Sequence, residues 1–195
     1  MNLEAEAYIE RFEYLRNEFK EAIHQKSPDD LIWKPKGLPQ VETNSAYVLV
    51  THVAGSEAYH IHELVGKINV NRDRASEFAV SEHPRNSIPS FSQLQKTLNM
   101  VGETTNQVLS RITQEELNES FEYGGRLVTR RWAVLHTLEH IGQHLGHLTL
   151  TLQLKKAIDE GEIIPMNDID FGHDIGIIMP NWKDLPSEDD DNEEE

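Results

Sequence analysis

The sequence predicts an all-α protein built as a bundle of four long helices. Apolar residues recur at helical spacing in four long stretches, no strong strand pattern competes with them, and there is no internal repeat. A chain of 195 residues is long enough to bury one real core and is read as a single domain over 1–160. An irregular strap over 161–187 and an acidic tail over 188–195 are expected to follow it.

The first helix runs from Leu3 to about His24, with Ala7, Phe12, Leu15, Phe19 and Ile23 as its apolar face and Tyr8 and Tyr14 beside it. Ser27-Pro28-Asp29-Asp30 ends it and caps a short turn. The stretch Trp33 to Pro39 is too broken by proline for a long helix. Asn44 or Ser45 caps a second helix reaching about Gly66. Residues 69–89 are polar and read as a long loop holding about one turn. Ser90 starts a third helix to about Arg111, with Phe91, Leu94, Leu98, Val101, Thr105 and Leu109 inward. Thr113-Gln-Glu-Glu116 has capping-box spacing. Phe121 to Val128, with Gly124-Gly125 at its centre, reads as a small hairpin or turn leading into the fourth helix.

That fourth helix carries four of the ten histidines, His136, His140, His144 and His147. At about 100° per residue they share an arc of about 80°. The stripe Val134, Leu138, Ile141, Leu145, Leu148 and Leu152 occupies another side, and His140 and His144 lie next to it. If the leucines pack inward, these two imidazoles sit at the lip of the core, best placed to share something buried. His-x3-His is also what a polar helix face without a ligand looks like. The metalloprotease motif is excluded, because Ile141 follows His140 where that motif needs glutamate. On the second helix, His52 shares a mixed face with Val48, Leu49, Ser56, Tyr59 and Glu63, as a partly buried ligand would. His60 and His62 diverge from it by about 80° to either side.

Composition limits the chemistry. The chain has no cysteine, so a metal must take nitrogen and oxygen ligands, and a cysteine nucleophile is excluded. The net charge is −16, of which the tail's seven acids account for seven, leaving −9. That charge repels phosphate backbones and argues against nucleic acid or an anionic membrane as partner. No apolar run reaches the roughly 18 residues of a span, and residues 1–10 hold no signal-peptide pattern, so a cytoplasmic location is expected. No nucleotide-binding loop or Gly-x-Ser-x-Gly elbow is present.

The segment Asn44 to Glu57, containing His52-Val-Ala-Gly-Ser-Glu57, and the segment Leu135-His136-Thr-Leu-Glu-His140-Ile-Gly-Gln-His144-Leu-Gly146 resemble the two histidine motifs of the DinB/YfiT-like family. Trp33-x-Pro35 and the Thr129–Trp132 helix entry fit the same pattern, and the resemblance covers about residues 3–155. It implies a four-helix bundle with a long connection between helices two and three. It also implies a histidine triad, His52, His140 and His144, holding one divalent ion. His147 stands where many members have glutamine; it is a candidate fourth ligand, as are His136, Tyr59 and Glu139 for a supporting role. Three neutral imidazoles suit Zn²⁺ or Ni²⁺, and also Fe²⁺, and leave positions open.

The activity the resemblance implies is activation of a low-molecular-weight thiol for S-transfer to an electrophile, with apolar walls and Tyr59 or Glu139 orienting the acceptor. Metal-assisted hydrolysis is the alternative within enzymes, and a non-catalytic stress-response metal-binding module the alternative outside them. The partners are then small molecules, with a homodimer left open. A di-iron reading also exists, on Glu21-x-x-His24 and Glu57-x-x-His60 with Glu103 and Glu139. Against it, the motif-bearing helices fall in the wrong order, and His24 lies in the last turn of its helix.

Overall fold

The computed structural model describes residues 2–35, 43–79 and 89–162. Helix α1, Leu3–Ile23, starts where the Asn2 side chain accepts the Glu4 N–H, satisfying one of the free donors of the first turn. Its buried face is Ala5, Tyr8, Phe12, Leu15, Arg16, Phe19 and Ile23. Ala7 is exposed and Tyr14 is 49 % exposed, so Ala5 and Tyr8 take the places expected of Ala7. The reason is phase: Ala5 lies about 20° from Phe12 around the helix, whereas Ala7 lies about 140° away. Ser27 caps the short α2, Pro28–Ile32, through a reciprocal box with Asp30.

Helix α3, Ala46–Glu57, is capped by Ser45 and continues without a break into a π-helical segment, Ala58–Val65. The wider turn is visible in the bond from the Gly66 N–H to the Ile61 carbonyl, five residues back. Within it, the consecutive residues His60, Ile61 and His62 are all buried. The long connection that follows contains helix α4, Arg74–Ala79, and its residues 80–88 lie outside the described chain. Helix α5, Phe91–Arg111, begins in a Ser90/Gln93 capping box and buries Leu94, Leu98, Thr105 and Leu109; Phe91 and Val101 pack half-buried against the same core. Helix α6, Gln114–Asn118, starts in the expected Thr113/Glu116 box.

The hairpin forms as β1, Ser120–Tyr123, paired antiparallel with β2, Arg126–Thr129. Gly124 and Gly125 form its two-residue loop, with φ of 57° and 77°. Both values lie in the left-handed region that type I′ turns require and that glycine adopts without a Cβ penalty. Thr129 then caps α7, Arg130–Asp159.

Helices α1, α3, α5 and α7 pack as a four-helix bundle: α1 lies against α5 and α7, and α3 lies against the same two. The α7 stripe faces inward as expected, with Val134, Ile141, Leu148 and Leu152 buried and Leu138 and Leu145 half-buried against them. Burial of this apolar surface, at roughly 25 cal/mol per Å², is the main stabilising contribution. No helix among the described residues is long and apolar enough to cross a membrane. The strap expected over 161–187 and the tail over 188–195 lie outside the described residues from 163 onward.

One polar network crosses the core. The buried Arg16 guanidinium meets the buried Glu57 carboxylate at 2.5 Å, Thr105 Oγ1 donates to Glu57 Oε1 at 2.6 Å, and His62 Nε2 donates to the Val101 carbonyl at 3.2 Å. Burial pushes the Glu57 carboxyl up, against the pull of Arg16 and Thr105. Removing one partner of such a pair strands a desolvated group. Arg16→Met is expected to cost about 3–5 kcal/mol in urea unfolding, and Arg16→Met/Glu57→Met to recover most of it. Equal losses in the single and double variants would contradict a coupled pair.

Candidate metal centre

The site is assembled from α3, α7 and α4. The 30-residue α7 brings His140 and His144 one turn apart to the edge of the core, both partly buried. Helix α3 presents His52, which is 5 % exposed. His140 Nε2 lies 3.2 Å from His52 Nε2 and 3.1 Å from His144 Nε2. The donor atoms of the three all fall within 4.8 Å of one another, so this group can hold a metal ion. Nitrogen ligands at ordinary Zn–N distances are about 3.3 Å apart on the edge of a tetrahedron and about 3.0 Å apart in cis octahedral positions. The two short separations fall between these values, so His140 is spaced from each of the other two rings as ligands of one ion are.

The tautomer of His52 follows from its neighbour. Glu77 Oε2, on α4, lies 2.9 Å from His52 Nδ1, and a carboxylate can only accept. The ring proton is therefore on Nδ1, and the Nε2 lone pair faces the other two imidazoles. This is the arrangement by which carboxylates commonly orient metal-binding histidines. Arg72 holds Glu77 in turn, with Nε–Oε1 at 2.6 Å and Nη2–Oε2 at 2.8 Å. Burial alone would raise the Glu77 carboxyl, but the bonds from Arg72 and His52 outweigh it, and it is held below its usual value.

Gly55 makes this approach possible. A Cβ there would overlap Glu77 Oε1, which is fixed by Arg72. The glycine of the His52-Val-Ala-Gly55 segment thus acts through the space it leaves for a carboxylate 22 residues later in sequence. Gly55→Ala is expected to displace Glu77 and weaken metal binding about as much as loss of that carboxylate, by roughly 10–100-fold.

Burial and the neighbouring imidazoles push His140 down to about 3, and burial together with His52 and His147 pushes His144 down to about 4. Both rings therefore stay neutral, as ligation requires, well below the ordinary imidazole value. A group whose folded value is depressed stabilises the fold fully above its unfolded value of about 6.5, and that stability is lost as pH falls toward the folded value. The chelated protein is expected to be folded at pH 7.5 and to lose stability steadily between about pH 6.5 and pH 3. Urea titrations at several pH values check this; a flat profile across that window would contradict it.

A cavity of about 390 Å³ opens beside the trio, lined by His52 and His140 together with Ser56, Tyr59, His60, Arg72, Arg74, Tyr123 and His136. The walls are polar and aromatic rather than apolar as expected, because the π-helical segment and the hairpin both contribute side chains. A second cavity of about 380 Å³, lined by Val65, Ile68, Val108, Arg130 and their neighbours, holds no histidine. Size does not separate the two; donor chemistry does.

Of the other candidates, Tyr59 lines the cavity. His136 also lines it, with its ring stacked on Trp132 at 4.8 Å and 8°. His147 is exposed, 5.5 Å ring to ring from His144, and stands outside the trio. Glu139 is exposed and is not among the cavity residues. The di-iron set does not come together. Glu57 is engaged by Arg16 and Thr105, while Glu21, His24 and Glu103 are exposed.

A family model for the DinB superfamily matches residues 5–148, well over half of the chain. The chain belongs to the DinB superfamily. No curated protein matches it. The helical bundle and the histidine cluster of this DinB-superfamily chain agree with that membership, and the match ends within α7, before the C-terminal stretch.

Proposed function

We propose that this DinB-superfamily protein is a metal-dependent enzyme that activates a low-molecular-weight thiol for S-transfer to an electrophile. One observation carries the reading: two of the three imidazoles of the trio also line a cavity large enough for a small molecule. A closed structural site has four protein ligands, whereas three leave room for an outside group on the cavity side. Zn²⁺ or Ni²⁺ suits three imidazoles, as does Fe²⁺, and such an ion favours the deprotonated form of a thiol or water that it binds. The chain's own residues supply the rest. Glu77 and Arg72 fix His52, and α7 carries His140 and His144 one turn apart on the same side. Tyr59, Tyr123 and His136 offer a polar, aromatic wall against which an acceptor can be oriented.

The test is incubation of the metal-loaded protein with bacillithiol, mycothiol or glutathione and a halogenated acceptor. Thioether formation that requires both metal and thiol is the expected result. Thiol-independent cleavage of an ester or amide would assign hydrolysis instead, and no turnover with any of them would leave a binding module.

A further inference from the structure

The cavity lining that holds His52 and His140 also contains a pair, His60 and Tyr123, whose hydrogen bonds run in one direction only. His60, 4 % exposed, places Nδ1 2.8 Å from the Ser56 carbonyl oxygen. A carbonyl only accepts, so the ring proton of neutral His60 is on Nδ1. Its Nε2 is then a lone pair, and the group facing it is the Tyr123 hydroxyl at 3.0 Å. Burial pushes His60 down to about 4, which keeps the ring neutral and Nε2 an acceptor at neutral pH. The Tyr123 O–H therefore points at His60, and what remains for the cavity is the lone-pair side of the phenolic oxygen. The I′ hairpin and the Trp132 ring, 5.4 Å from that of Tyr123, hold it there, and Arg126 covers Trp132 at 4.6 Å.

We propose that Tyr123 is the specificity-determining acceptor of this cavity, with His60 as its positioning residue: the site selects molecules that bring their own O–H or N–H to the wall beside the histidine trio. The proposal rests on the reading of the trio as the place where a thiol is held, and it narrows that reading. A thiol with a hydroxyl, amine or amide near its sulfur satisfies the phenolic oxygen. A purely aliphatic thiol, or one that offers only an ether oxygen, leaves it unpaired in a partly desolvated site.

The test uses the zinc-loaded full chain and two isosteric probes, 2-mercaptoethanol and 1-propanethiol, which differ by O–H against CH₃. Calorimetric affinities give their ratio in the wild type and in Tyr123→Phe. The ratio should favour 2-mercaptoethanol in the wild type by roughly 3–10-fold more than in the variant, the range for one hydrogen bond. A merely structural role for Tyr123 would weaken both probes alike and leave the ratio unchanged, which would overturn the proposal. In His60→Met the O–H is released to turn toward the cavity, and 2-methoxyethanethiol, which only accepts, should gain on 2-mercaptoethanol. The wild type supplies a check that needs no variant: equal affinity for the alcohol and its methyl ether would overturn the proposal. Zinc content is measured alongside. One zinc per chain with no donor preference overturns this inference alone, whereas a chain that takes up no zinc overturns the thiol-site reading and this inference with it.

Discussion

His140→Ala is expected to abolish high-affinity binding of a divalent ion, with a larger loss than the roughly 10–100-fold typical of disturbing a group behind a ligand. His140 is the middle member of the trio: its Nε2 alone is in short contact with both other imidazoles. Without it, His52 and His144 are two donors from different helices with no donor between them. His52→Ala and His144→Ala should lose binding on the same scale. His147→Ala should leave it unchanged, since that ring is exposed and outside the trio. Competition with a chelator of known affinity measures all four. Unchanged stoichiometry in the three trio variants would remove the assignment.

Glu77→Gln is the second expected large effect, a loss of about 10–100-fold in metal affinity with the fold intact. The amide keeps the size of the carboxylate but loses its charge, and it can turn either an acceptor or a donor toward His52 Nδ1. Where the donor faces the ring, His52 takes the other tautomer and its Nε2 lone pair is lost to the ion. Arg72 loses its bidentate partner in the same change. Because the effect passes through ring orientation, it should appear as weaker metal binding at pH 7.5 with little change in helical content by circular dichroism. A Glu77→Gln protein that binds zinc as tightly as the wild type would contradict the orienting role.

The legible and illegible parts of this site separate by kind of structure. His140 and His144 were readable because a regular helix converts spacing into direction, and the leucine stripe shows which direction is inward. His52 was readable on the same grounds, and family resemblance joined it to the other two. Glu77 was not, because it sits in a helix of six residues inside a polar connection, with too few turns to show a period. It is also one of 34 acidic residues, none of which carries a mark of what it bonds. His60 eluded helical arithmetic because a π-helical turn follows α3 and changes the angle per residue from Ala58 onward. Tyr123 reaches the cavity only because a hairpin folds back over it, and its bond to His60 spans 63 residues of sequence. The four-helix fold itself needed only periodicity and caps. The α1 face shows the limit even there, since choosing Ala7 over Ala5 shifts the inferred core by a third of a turn or more.

The most direct test of the histidine assignment is X-ray absorption at the zinc edge on the full chain loaded with one equivalent of Zn²⁺ at pH 7.5. One ion per chain is expected, with the multiple-scattering signature of three imidazoles at about 2.0–2.1 Å and the remaining coordination made up by light oxygen or nitrogen donors. A first shell dominated by carboxylate oxygen, or one with fewer than three imidazoles, would contradict it.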